Sequence, residues 1–167
     1  MNDHGVALPY YRLHVVPAVV ALASPTWQRE VWLDPDRFED LDHIVHVLFD
    51  DFCDADDPTP WLGRCLRTEE EVELMAALGA AYGAVQDSVG ATAPDEVYLD
   101  SPGWSAVVAA AARLAQVLVS NDHSALCELP DAGLAGRSSP MPDRARNGRT
   151  GRGVERVVTV PAVVPGP

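Results

Sequence analysis

Thr68-Glu69-Glu70-Glu71-Val72-Glu73-Leu74-Met75-Ala76-Ala77-Leu78-Gly79-Ala80-Ala81-Tyr82-Gly83-Ala84-Val85-Gln86-Asp87-Ser88-Val89-Gly90 reads as one long helix with both ends marked. The Thr68 hydroxyl can accept an amide proton three residues on, the capping-box arrangement, and three acids lie at the positive end of the helix dipole. Val72, Met75, Leu78, Tyr82, Val85 and Val89 then recur at spacings of three and four, which builds one apolar face. Gly90 is a natural terminator.

Outward from this helix the same period recurs. After Ser101-Pro102-Gly103-Trp104, the residues Trp104, Val107, Val108, Ala111, Leu114, Ala115 and Leu118 form a narrow apolar stripe with small residues behind it, and Asn121 is expected to end the helix. Ser24-Pro25-Thr26-Trp27 repeats the Ser-Pro start, with serine as cap and proline at the first helical position. A first helix is expected from about Arg12 to Leu22, started or kinked by Pro17, and another from Asp36, with Glu39 reaching back, to about Phe52. Trp61–Leu66 and Glu96–Leu99 could each form a short strand, but neither alternates well enough to make a sheet. The fold class is therefore mainly α, a compact domain of about five helices, with Trp27, Trp32, Trp61 and Trp104 expected in its core.

Charge divides the chain near Asp122. Up to that residue there are twenty-one Asp and Glu against six Arg, an excess of 15. From His123 onward six Arg meet four acids among Gly, Pro and Ser without apolar periodicity. Such a segment buries too little to offset its ordering entropy. The expected division is an acidic helical domain, residues 1–122, and a disordered tail, residues 123–167.

The net charge of −13 on 167 residues repels phosphate backbones and anionic lipid headgroups and favours basic partners. No nucleic acid and no membrane surface is expected as a ligand. The apolar run Val15 to Ala23 contains Pro17 and is too short to span a bilayer, the N-terminus lacks a basic signal region, and three cysteines without metal-knuckle or redox spacing suit a reducing cytoplasm.

Between Asp34 and Asp57 ten acids face one arginine, Arg37. Glu39, Asp40, Asp42, Asp50, Asp51, Asp54, Asp56 and Asp57 are the residues expected to meet a basic protein partner. On a wheel of 100° per residue, Leu41, Val45, Leu48 and Phe52 make the apolar centre of the helix, flanked by Phe38, Ile44 and Phe49. Glu39, His43, His46 and Asp50 make a stripe on the opposite side, and their side chains are of the types that ligate divalent metals. A solvated face of His–carboxylate pairs is the competing reading, because a site on the outside of one helix has no enclosure. No phosphate loop, dinucleotide fingerprint or nucleophile elbow is present, so neither a catalytic residue nor a cofactor is assigned.

Trp32 to Asp34, Leu41-Asp42-His43, Leu48-Phe49-Asp50-Asp51, Leu66-Arg67-Thr68-Glu69-Glu70-Glu71 and Ser101-Pro102-Gly103-Trp104 resemble a family of small, acidic, uncharacterised actinobacterial proteins, similar in size and charge to bacterial immunity proteins. The resemblance covers roughly Arg12 to Asn121. It implies protein binding in the cytoplasm, immunity-like or antitoxin-like, and brings no catalytic residues with it. The alternatives are a metal-binding protein or metal-dependent enzyme using the His–carboxylate stripe, and a structural helical subunit of an assembly.

Overall fold

The structure, a computed structural model, describes residues 5–129. It has α1 (Pro9–Leu22), α2 (Pro25–Trp27) running into a π-helical turn (Gln28–Trp32), and α3 (Leu41–Val45) running into a second π-helical turn (His46–Asp51). A short 3-10 turn (Thr59–Trp61) leads to α4 (Glu69–Val89), α5 (Asp95–Leu99) and α6 (Trp104–Cys127). Six α-helices thus stand where about five were expected; the added one is the short α5. Among the described residues there is no strand, only an isolated bridge between Leu62 and Leu66. The expected tail from residue 130 onward lies outside the described residues.

The core forms where α4 and α1 lie against α6. On α4, Met75, Leu78, Tyr82 and Val85 are buried as the spacing requires, and Thr68 Oγ1 accepts the Glu71 amide at 3.2 Å. Gly90 closes the helix at φ +93°, a backbone conformation open chiefly to glycine. On α6, buried Ala110 and Ala111 between Val107 and Leu114 let the helices approach closely.

Several boundaries differ from expectation, each for a local reason. Helix α1 starts at Pro9, which suits a first turn, and Pro17 lies inside it at an exposed position. The α3 segment starts at Leu41 rather than Asp36, because Asp40 is the cap; its Oδ1 accepts the His43 amide at 2.8 Å. Phe38 is consequently outside the helix and 87% exposed instead of flanking the core. Ser101 does not cap α6: its hydroxyl takes the Gly103 amide, and the helix opens at Trp104. Trp32 and Trp104 are buried, whereas Trp27 is 46% exposed.

Asn121 does not end α6, which runs through Asp122 to Cys127, five residues past the expected domain boundary. Both side chains point inward to fasten helices together. Asn121 Nδ2 donates to Glu71 Oε1 at 2.7 Å, and Asp122 Oδ1 accepts from Arg12 Nε at 2.6 Å and Arg67 Nε at 2.8 Å. Arg12 also donates two hydrogen bonds to the Glu71 carboxylate, at 2.9 and 3.0 Å, and others to the carbonyls of Cys65 and Leu118. This buried ion network joins α1, α4 and α6. Burial pulls the Arg12 pKa down, but hydrogen bonds and charge from Glu71 and Asp122 outweigh it and leave the guanidinium above its usual value.

Candidate functional site

The acids expected to meet a partner lie on the α3 segment and the loop after it, and the backbone there explains their arrangement. Asp40 is exposed and spent on the helix cap. Asp54 Oδ1 accepts the amides of Asp56 and Asp57 at 3.0 and 3.2 Å, a turn that presents those two side chains outward. Asp42, Asp50, Asp51, Asp56 and Asp57 are all exposed. Among the described residues, none of these eight acids forms an ion pair with an arginine.

Glu39 is the exception to the expected surface. Lying before the helix, its Oε1 accepts the indole N–H of Trp27 at 2.9 Å and of Trp32 at 3.2 Å. It is bound to α2 and the first π-helical turn. The stripe Glu39, His43, His46, Asp50 is therefore not assembled on one helix face. His46 sits between Asp50 at 2.8 Å and Asp42 at 3.6 Å, and His43 lies beside the Phe38 ring. Among the described residues, no three His, Cys, Asp or Glu are placed to hold a metal ion.

An acid far away in sequence joins the cluster. Asp95, at the start of α5, accepts the Leu41 amide on Oδ2 at 2.9 Å, so it lies at the N-terminus of α3 beside Asp40 and Asp42. Partial burial raises its carboxyl pKa, and the charges of Asp40 and Asp42 raise it further against the lowering effect of the Leu41 hydrogen bond. The same field reaches Tyr82, whose phenol is raised by burial, Tyr98, Asp42 and Asp95. Pro94-Asp95-Glu96 carries a helix-start signal, but nothing in the sequence says that it meets residue 41.

Residues 6–126 match a domain of unknown function (DUF7945). The chain belongs to that family. The DUF7945 match takes in α1 through α5 and nearly all of α6, including the ion network and the acidic cluster. No curated protein and no solved structure matches the chain.

A raised folded-state pKa on a carboxyl means that folding binds its proton more tightly than the unfolded chain does. Asp95 therefore costs stability as pH rises through the ordinary aspartate range, a cost fully present above the folded pKa and absent well below 3.8. Asp95→Asn keeps an oxygen for the Leu41 amide and removes the charge. It is expected to stabilise the DUF7945 domain at pH 7 by about 0.5 kcal/mol, allowing for screening at a half-exposed site. Thermal unfolding at pH 7 and again near pH 3 checks this, since the gain must vanish in acid.

Proposed function

We propose that the chain is a cytoplasmic protein-binding module, immunity-like or antitoxin-like, whose acidic surface engages a basic protein. The observation that carries the reading is the group Asp40, Asp42 and Asp95, brought together at the start of α3 by the bond from the Leu41 amide to Asp95 and, among the described residues, paired with no arginine. Like charges gathered at a stability cost suit a surface that meets an opposite charge on binding. Asp51, at the end of the second π-helical turn, and Asp56 and Asp57, on the loop after it, extend the field with exposed side chains. Free Cys53, Cys65 and Cys127 suit a reducing compartment. No helix among the described residues is long and apolar enough to cross a membrane. The negative field also disfavours nucleic acid and anionic membrane surfaces as ligands.

Affinity capture from the native cell tests the reading directly. The parent chain is expected to retain a basic protein at low salt and to lose it as the screening length falls from about 10 Å at 0.1 M to about 3 Å at 1 M. A variant carrying Asp42→Asn, Asp51→Asn, Asp56→Asn and Asp57→Asn is expected to capture far less while unfolding at the parent's temperature or above. Identical captured proteins with identical salt dependence for both chains would sink the acidic interface.

A further inference from the structure

Helix α1 is apolar on the side facing solvent as well as on the side facing the core. Val15, Val19 and Leu22 are buried, while Tyr10, Leu13 and Val20 are 62%, 73% and 41% exposed. Helices that are apolar all round are ordinarily enclosed on every side, and among the described residues nothing encloses this one. Beside the exposed strip, between α1 and the last turns of α6, runs a groove of about 380 Å³ lined by Leu13, Pro17 and Leu126 together with the ion-paired Arg12, Arg67 and Asp122. From Tyr10 to Val20 the helix rises by ten residue steps, about 15 Å, close to three helical turns.

Charge selects among the occupants of such a strip. One flank is acidic: Asp51 is exposed next to Phe52, whose ring stacks on His14 at 4.1 Å and meets Tyr10 at 6.0 Å. The other flank ends near exposed Glu128, two residues beyond Leu126. Nearby arginines are engaged, Arg67 by Asp122 and Arg64 over the Trp61 ring. A second copy of the chain would bring its own net charge of −13 against this surface, and an anionic lipid would be repelled in the same way.

We propose that the α1 strip and the α1–α6 groove take the apolar face of an amphipathic helix from a cationic partner, with basic side chains of that helix on the acidic flanks. This deepens the cationic-partner reading above and rests on it. The recognition is helix in groove, with apolar anchors three and four residues apart filling the groove. Leu13 and Leu126 are the residues on this chain that such anchors would meet.

The probe is a labelled helical peptide of roughly 18 residues with leucine at positions i, i+3, i+4 and i+7 and lysine elsewhere, compared with a scrambled peptide of the same composition. Fluorescence anisotropy against the full chain is expected to show the striped peptide binding at least about tenfold more tightly than the scrambled one. Leu13→Gln with Leu126→Gln should abolish that difference and leave the helical circular dichroism unchanged, since both side chains are exposed. Equal, salt-sensitive binding of both peptides would overturn the groove and leave the cationic-partner reading intact. No binding by either peptide would overturn both. A dimer of the chain alone dispersed by the two glutamines, or binding to phosphatidylglycerol vesicles lost in that variant, would also overturn the proposal by naming a different occupant.

Discussion

Glu71→Ala is expected to bring the domain close to unfolding at room temperature. The carboxylate is completely buried and accepts four hydrogen bonds: two from Arg12, one from the Arg67 amide at 2.6 Å and one from Asn121. Removing it leaves the guanidinium of Arg12, itself 5% exposed, with Asp122 as its one anionic partner among the described residues. Breaking a buried pair on one side costs about 3–5 kcal/mol, against a total of about 5–15 kcal/mol for an ordinary domain. Arg12→Met should cost a similar amount, because it leaves Glu71 charged and buried. The double variant Arg12→Met with Glu71→Met should cost less than the sum of the singles, since it removes both charges at nearly constant volume. Urea unfolding of the four proteins measures the coupling. A loss below about 1 kcal/mol for Glu71→Ala would show that the network does not hold the helices together.

That network also lies beyond the range of local sequence signals. Local signals with a short physical range were legible: the Thr68 cap, the apolar spacing along α4 and α6, and Gly90 as terminator all stand as read. Its place in the first turn makes Glu71 an acid favoured by the helix dipole, and the structure keeps it there. Its side-chain partner on α1 lies 59 residues away, and no periodicity encodes that pairing. A lone arginine in the apolar stretch Pro9–Leu22 was the available hint, because a charge surrounded by core-forming residues must find a partner or be expelled.

The acidic segment divides in the same way. The density of acids is visible in composition, and with one arginine, Arg37, among ten acids the desolvation cost of a carboxylate keeps Asp42, Asp50, Asp51, Asp56 and Asp57 at the surface. The metal stripe failed as a helix-face argument because it assumed 100° per residue from Asp36 onward. Asp40 starts the helix four residues later, so Glu39 is free to accept two indole protons, and beyond Val45 the wider π-helical turn shifts each following side chain. Asp95 joins the cluster through tertiary packing alone.

The packing of α4 against the loop after α3 gives the second large effect. Gly79 lies on the buried side of α4, and a Cβ placed on it would fall well inside contact distance of the Ala55 carbonyl oxygen and carbon. The obstacle is backbone, so no rotamer change relieves it. Ala55 is itself 1% exposed, and its amide donates to the Leu48 carbonyl at 3.0 Å, which fixes the loop from the other side. Gly79→Ala must therefore push α4 away from the loop or tear the loop from the end of the α3 segment. Overpacking of this kind costs about 1–3 kcal/mol, and an immovable neighbour places the expected loss at the upper end, about 3 kcal/mol. Gly83, one turn along the same helix, has no atom within 4 Å of the equivalent Cβ. There alanine meets open space and removes the backbone entropy of a helical glycine, so Gly83→Ala is expected to stabilise by up to about 1 kcal/mol. The same chemical change four residues apart should thus move the unfolding midpoint in opposite directions. Denaturant titration of the two variants beside the parent decides it, and a Gly79→Ala chain within about 0.5 kcal/mol of the parent would mean that α4 and the Ala55 loop are not in the contact described.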